Sequence, residues 1–257
     1  YTIYAVLKDE FRGSPWYEWP EAFRDKVEDD IKQYKNLKQE ELNFQRWIQF
    51  IFYKQWYKLR TLAQQYNVRL VGDIPFYMSN DSADVWAHKS LFNIKASGEI
   101  IFVAGVPADY FSKTGQLWGM PTYNWKAQQQ DDYTWWLKRL RQNIKLYDFV
   151  RLDHFRAFYD YWEIPGNADT AMHGTWKKGP QDDLFKLIKN HFPDMPFIAE
   201  DLGEIHRGVF DFKDKYQLPG MHILQFGFER YDGSLRDLPH NFESNSIVYT
   251  GTHDNNT

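Results

Sequence analysis

The sequence has no cysteine in 257 residues, so neither a disulfide framework nor a cysteine-based metal site is available to it. The same absence fits a reducing compartment, and the cytoplasm is the expected location. No apolar run approaches the about 18 residues of a membrane span, and Tyr1-Thr2-Ile3 opens without a basic and then apolar signal pattern. A soluble protein without a membrane partner is expected. The 31 Lys and Arg residues, set against 35 Asp and Glu for a net charge of −4, are scattered, which leaves no basic footprint for nucleic acid. Also missing are a G-x-G-x-x-G or P-loop pattern, an H-E-x-x-H pattern, an internal repeat and a low-complexity linker.

What is abundant is aromatic: 19% of the chain, as 11 Trp, 17 Tyr and 20 Phe. Such rings pack in cores, and their apolar faces also stack on the C–H faces of sugars. Composition does not choose between these uses. With 43% hydrophobic residues in one chain of this length, a sizeable core can form.

Periodicity supplies the organisation. Across residues 42–66 the apolar positions Phe44, Trp47, Ile48, Ile51, Phe52, Trp56, Leu59, Leu62 and Tyr66 recur at spacings of three and four, which predicts one long amphipathic helix. Asn67 ends it, and residues 68–74 read as a short strand with Asp73 near its end. Further helix-then-strand steps are read at 132–146 into 148–152, 181–191 into 196–199, and 209–216 into 221–226, with a last strand at 247–250. This alternation predicts parallel α/β architecture. Without a phosphate-binding first turn, a (β/α)8 barrel is favoured over a doubly wound sheet. Only five of its eight strands are visible, so the chain reads as an incomplete portion of such a barrel, one catalytic unit over 1–257. Residues 74–130 are too long for an ordinary βα loop of about 2–6 residues and are read as an insertion or active-site subdomain. Within it, the stretch 115–121, with Gly115, Trp118, Gly119 and Pro121, reads as a binding loop.

Several strand ends carry carboxylates: Asp153, Glu200 and Asp254. In barrels this is the end that holds the chemistry. Cleaving a glycosidic bond with retention needs a nucleophilic carboxylate and a protonated carboxyl group about 5–5.5 Å apart, and neighbouring strands can supply both. Arg151, two residues before Asp153, points to the same side of its strand, where an opposite charge favours the ionised carboxylate. Glu200 as the acid would need a raised pKa, from partial burial and nearby negative charge. Each residue also has a plainer reading. A lone Asp at a strand end is commonly a cap or turn residue, and His154 and His253 taken singly read as structural histidines. A metal centre from Asp73, Asp153, His154, Glu200, His253 and Asp254 lacks any supporting local spacing.

The segments VGDIPFYMSNDSADVWA, GVPADYFSKTGQLWGMPTYNW, VRLDHFRAF, FIAEDLGEI, LPGMHILQFGF and YTGTHDNNT together resemble the 4-α-glucanotransferases, the amylomaltase or disproportionating-enzyme family of the α-amylase clan. The resemblance runs from the first residue to the last. It implies a (β/α)8 barrel with Asp153 as nucleophile, Glu200 as acid and base, and Asp254 as a carboxylate that stabilises the transition state. It further implies that Asp73, Arg151 and His253 touch the substrate and that Gln116 and Trp118 line its groove; a transferase must favour a sugar acceptor over water, and Trp118 and Tyr110 are the aromatic residues expected to help close the groove for it. The implied substrates are maltooligosaccharides or other α-1,4-glucans, handled without a cofactor or metal. The family's barrel extends beyond both ends of this sequence. A retaining α-glucan hydrolase and an inactive glucan-binding fragment are the alternatives.

Overall fold

A computed structural model of the chain describes residues 1–108, 112–203, 205–228 and 235–252. Nine strands occur among them: β1 (Val71–Ile74), β2 (Phe102–Val106), β3 (Gln116–Pro121), β4 (Phe149–Leu152), β5 (Asp160–Pro165), β6 (Thr175–Lys178), β7 (Phe197–Ala199), β8 (Gly220–Ile223) and β9 (Ser246–Tyr249). The chain divides into two compact units, one of Tyr1–Val68, Tyr77–Thr134 and Tyr161–Lys177, the other of Arg69–Phe76, Trp135–Asp160 and Lys178–Thr257.

The second unit holds the parallel strands. They lie in the order β1-β4-β7, with β8 paired parallel to β9. The Ala199 N–H donates to the carbonyl of Pro219 at 2.8 Å, which carries the succession from β7 toward β8. Helices precede β4 (Thr134–Leu146), β7 (Gln181–His191) and β8 (Arg207–Lys215), each following from its sequence. In the helix Gln181–His191, Leu184, Phe185 and Ile188 form the buried face, while Asp182 and Asp183 in the first turn and Lys189 and His191 in the last complement the helix dipole. All three residues of β7 are buried, as expected for a parallel strand covered on both faces. The core here is aromatic: Phe76 meets Phe158 edge-on at 4.7 Å, Phe158 meets Phe185 at 5.2 Å, and Phe185 meets Phe212 at 4.9 Å. Such pairs add specific geometry to plain area burial.

The boundaries differ from the sequence reading where backbone geometry intervenes. Asp132 and Tyr133 have positive φ, so that helix starts at Thr134. The chain leaves extended structure at Leu224 for a 3-10 turn over Leu224–Phe228, which shortens the strand read at 221–226. The strand read from 68 begins at Val71.

The first unit contains a four-stranded sheet in the order β3-β2-β5-β6. Of this, the sequence reading recognised nothing at β5, where Glu163 occupies a buried position that breaks the apolar pattern and its carboxylate accepts a hydrogen bond from the Thr122 hydroxyl at 3.1 Å, or at β6, which is exposed along its whole length. The stretch 115–121 is not a loop but the strand β3, antiparallel to β2. Gly119 sits there at φ +72°, a left-handed conformation, and the ladder slips between Val103 and Gly105, so the glycines mark a bulge rather than a turn. Gly105 itself is required because a Cβ would run into the carbonyl of Gln116. The helix Gln39–Gln65 forms as read, yet Leu42 is its buried residue, whereas Phe44, Trp47, Phe50, Phe52, Leu59 and Leu62 are exposed. Periodicity identified its apolar stripe without saying what covers it. No helix of the described residues is long and apolar enough to cross a membrane.

Candidate active site

Asp73 and Arg151 are brought together by strand register, since parallel pairing of β1 with β4 sets them side by side. Nη1 of Arg151 donates to both carboxylate oxygens of Asp73 at 2.9 and 2.8 Å. Its Nη2 stands 2.9 Å from Oδ1 of Asp153, two residues on, as side-chain alternation requires. One guanidinium thus bridges two carboxylates that remain open to solvent, 51% exposed at Asp73 and 39% at Asp153, while the arginine is largely buried. Burial by itself lowers the Arg151 pKa, but Asp153 and Asp73 outweigh it and the net direction is upward. The cation therefore stays charged.

Glu200 follows β7 as Asp153 follows β4, and the pairing of Leu152 with Ala199 places the two residues on adjacent strand ends, about 4.8 Å apart in the sheet direction. The backbone locks this junction. The Glu200 N–H donates to the Leu152 carbonyl at 3.1 Å, and the Phe155 N–H donates to the Glu200 carbonyl at 3.2 Å. The carboxyl group is held in turn by two N–H donors, His154 to Oε2 at 2.8 Å and Leu202 to Oε1 at 3.1 Å. Its pKa is raised to about 7, first by burial and then by the Asp153 charge, against the opposing pull of Arg151 and the two N–H donors. Proton occupancy near neutral pH distinguishes a carboxyl group able to give and take a proton from one that is permanently ionised.

What His154 gives to Glu200 is its backbone N–H. Burial, with Arg156 nearby, lowers the pKa of its side chain to about 4, so the ring is neutral. At φ 49°, ψ 50° the residue is left-handed, and this bend turns its N–H toward Glu200. Glycine adopts that conformation freely and a β-branched residue does not. His154→Gly is expected to keep the N–H in place, whereas His154→Val should lose about 1–3 kcal/mol of stability and slow turnover, as measured by denaturant unfolding and rate on the complete protein. Equal behaviour of the two variants would show that the bend is unimportant.

Of the eight site residues read from the sequence, Asp73, Arg151, Asp153 and Glu200 converge. Gln116 and Trp118 lie on β3 in the first unit, where Trp118 Nε1 donates to Oε1 of Gln116 at 3.1 Å and its ring stands 6.0 Å from that of Tyr77. Trp118 is half-buried there and Gln116 exposed. His253 and Asp254 lie outside the described residues, as does Tyr110. The sequence reading missed the two N–H donors on Glu200, because a backbone group leaves no trace in residue type.

A family model described as 4-alpha-glucanotransferase matches residues 1–257. The chain belongs to the 4-alpha-glucanotransferase family. Among its curated relatives, the 4-alpha-glucanotransferase of Aquifex aeolicus is 44% identical over 254 residues, covering 99% of this chain and 52% of the relative. That of Thermus thermophilus is 42% identical over 260 residues, covering 100% of this chain and 52% of the relative. A solved amylomaltase from Streptococcus agalactiae, in complex with acarbose, superposes with a TM-score of 0.94 at 39% identity over 98% of this chain and 51% of its own. The chain therefore spans about half the length of the family members it matches.

Proposed function

We propose that this chain supplies the reacting carboxylates of a retaining 4-alpha-glucanotransferase acting on α-1,4-glucans. The observation that carries the reading is the pairing of Arg151-bound Asp153 with Glu200, whose pKa is about 7, on adjacent parallel strand ends. In the first step an Asp153 oxygen bonds to the anomeric carbon while the Glu200 proton passes to the departing glycosidic oxygen, breaking the C–O bond and leaving a glycosyl ester. Ester formation removes the Asp153 charge, one of the influences holding the Glu200 pKa up, so Glu200 is then favoured as the carboxylate base the second step needs. A hydroxyl of the acceptor sugar gives its proton to Glu200, attacks the anomeric carbon and frees Asp153. Asp73 and Arg151 orient the nucleophile, and Asp254 and His253 complete the set through the transition-state and substrate roles the resemblance implies. No metal or cofactor enters either step.

The fold that would hold these groups is a (β/α)8 barrel. The parallel strands β1-β4-β7 and the parallel pair β8-β9, with reacting groups after β4 and β7, support it.

Incubating the complete protein with maltotriose tests the activity. Transfer gives glucose plus longer oligomers, whereas reducing ends that rise steadily with time mean hydrolysis and contradict the reading. Because Glu200 must be protonated to start the reaction, kcat/KM is expected to fall as pH rises through about 7. A rate flat from pH 6 to 9 would remove Glu200 from the acid role.

Trp118 is proposed as a sugar platform. Were it a core residue, Trp118→Ala would cost about 3–5 kcal/mol. As a half-buried platform it should cost much less, with weaker use of long glucans or more hydrolysis relative to transfer. A large fall in melting temperature with an unaltered product pattern would return it to the core.

A further inference from the structure

Immediately after Glu200, Asp201 is 0% exposed and is ringed by donors. Its Oδ2 accepts from Lys213 Nζ at 3.1 Å and from Arg236 Nη2 at 2.7 Å, and its Oδ1 accepts from the Met221 N–H at 2.8 Å. Lys213 is buried as deeply, its side chain 2% exposed, and also faces Glu243 at 3.6 Å and Asp214 at 3.7 Å. Space for the cluster is made by Gly220, where a Cβ would stand 2.5 Å from Asp201 Oδ2 and 2.8 Å from Lys213 Nζ. A buried ion pair is a weak stabiliser compared with a well-packed apolar core, so its effect is to be sought in geometry.

The geometry lies in one peptide unit. Arg236 Nη1 donates at 2.7 Å to the carbonyl oxygen of Asp201, and that carbonyl belongs to the same planar peptide group as the Leu202 N–H, which donates to Oε1 of Glu200 at 3.1 Å. Fixing one end of this plane fixes the other. Arg236 also reaches the Met221 carbonyl at 3.3 Å, which ties the unit to β8. We propose that Asp201, Lys213 and Arg236 are positioning residues that aim the Glu200 carboxyl group by clamping the Asp201–Leu202 peptide. The proposal rests on the acid and base reading of Glu200 given above.

The test compares Arg236→Met with the parent, both as complete protein. Loss of the clamp lets the Leu202 N–H and the Glu200 carboxyl drift. The rate on maltotriose should fall by up to about 100-fold, the scale of an ångström-sized misplacement of a reacting group. The Leu202 N–H is one of the groups that hold the Glu200 pKa down, so losing it should move the falling limb of the pH profile above about 7. With α-maltosyl fluoride, whose leaving group departs without a proton, the loss should be much smaller, and Arg236→Lys should recover part of the maltotriose rate. A folded Arg236→Met with the parent's pH limb and the parent's ratio of fluoride to maltotriose rates would overturn the proposal. If Arg236→Met does not fold, Arg236→Lys is read in its place: a single ammonium cannot grip both the carbonyl and the carboxylate in the fork geometry, so the same two changes are expected in smaller measure, and their absence has the same force. Glu200→Gln run alongside separates the two ideas. Full maltotriose activity in that variant ends the acid and base reading and the clamp together, whereas the expected loss there, with Arg236→Met like the parent, ends the clamp alone.

Discussion

Asp153→Asn is expected to lower transfer from maltotriose by about 10,000-fold or more, the scale on which enzymes lose rate when a nucleophile is removed, while the folded structure persists. The amide has nearly the shape of the carboxylate but forms no glycosyl ester. Folding should survive because Arg151 keeps both of its hydrogen bonds to Asp73 and Asp153 is well exposed rather than part of the core. The same substitution removes a negative charge that raises the Glu200 pKa, so a titration of Glu200 in the variant should give a value below about 7. Retention of more than a small fraction of the parent rate would take the nucleophile role from Asp153.

Glu200→Gln is expected to behave differently. Losing a general acid and base costs about 100- to 10,000-fold, but the loss depends on the leaving group. With a glucan donor the departing oxygen needs the proton. A donor with a good leaving group does not, and formation of the ester should return toward the parent rate while its breakdown stays slow for want of a base. In the parent the N–H groups of His154 and Leu202 donate to different oxygens of Glu200, so the single oxygen of glutamine keeps one of these bonds and gives up the other. Rescue by an activated donor in Asp153→Asn and not in Glu200→Gln would mean that the two roles are reversed.

The parallel strands and most of the helices were legible in the sequence because period and composition report which faces are apolar, and strand ends can be read off the point where Phe149-Val150 gives way to Arg151 and Asp153. The pairing of Asp73 with Arg151 was less accessible. It depends on register between strands far apart in the chain, which a single sequence does not state, and the two were linked beforehand only through the family resemblance. The strand β3 was read as a loop because Gly115, Gly119 and Pro121 are turn formers in most settings, and only the paired backbone shows that the glycines accommodate a bulge and a close approach. The strand β5 escaped for the opposite reason, a buried Glu163 standing where an apolar residue was looked for, and β6 because it is exposed throughout and has no apolar face to read. The N–H donors on Glu200 and the grip of Arg236 on a peptide carbonyl involve main-chain atoms that every residue possesses, so no motif could have announced them.

The central claim, that Asp153 bonds to the sugar and Glu200 manages the protons, is tested most directly by trapping the intermediate. Complete protein carrying Glu200→Gln would be incubated with α-maltosyl fluoride, quenched in acid and digested, and its peptides weighed by mass spectrometry. The expected result is a maltosyl adduct on the peptide containing Asp153, absent when Asp153→Asn is added. An adduct on the peptide of Asp73 or Asp254, or a product of inverted anomeric configuration formed with no adduct at all, would contradict the account.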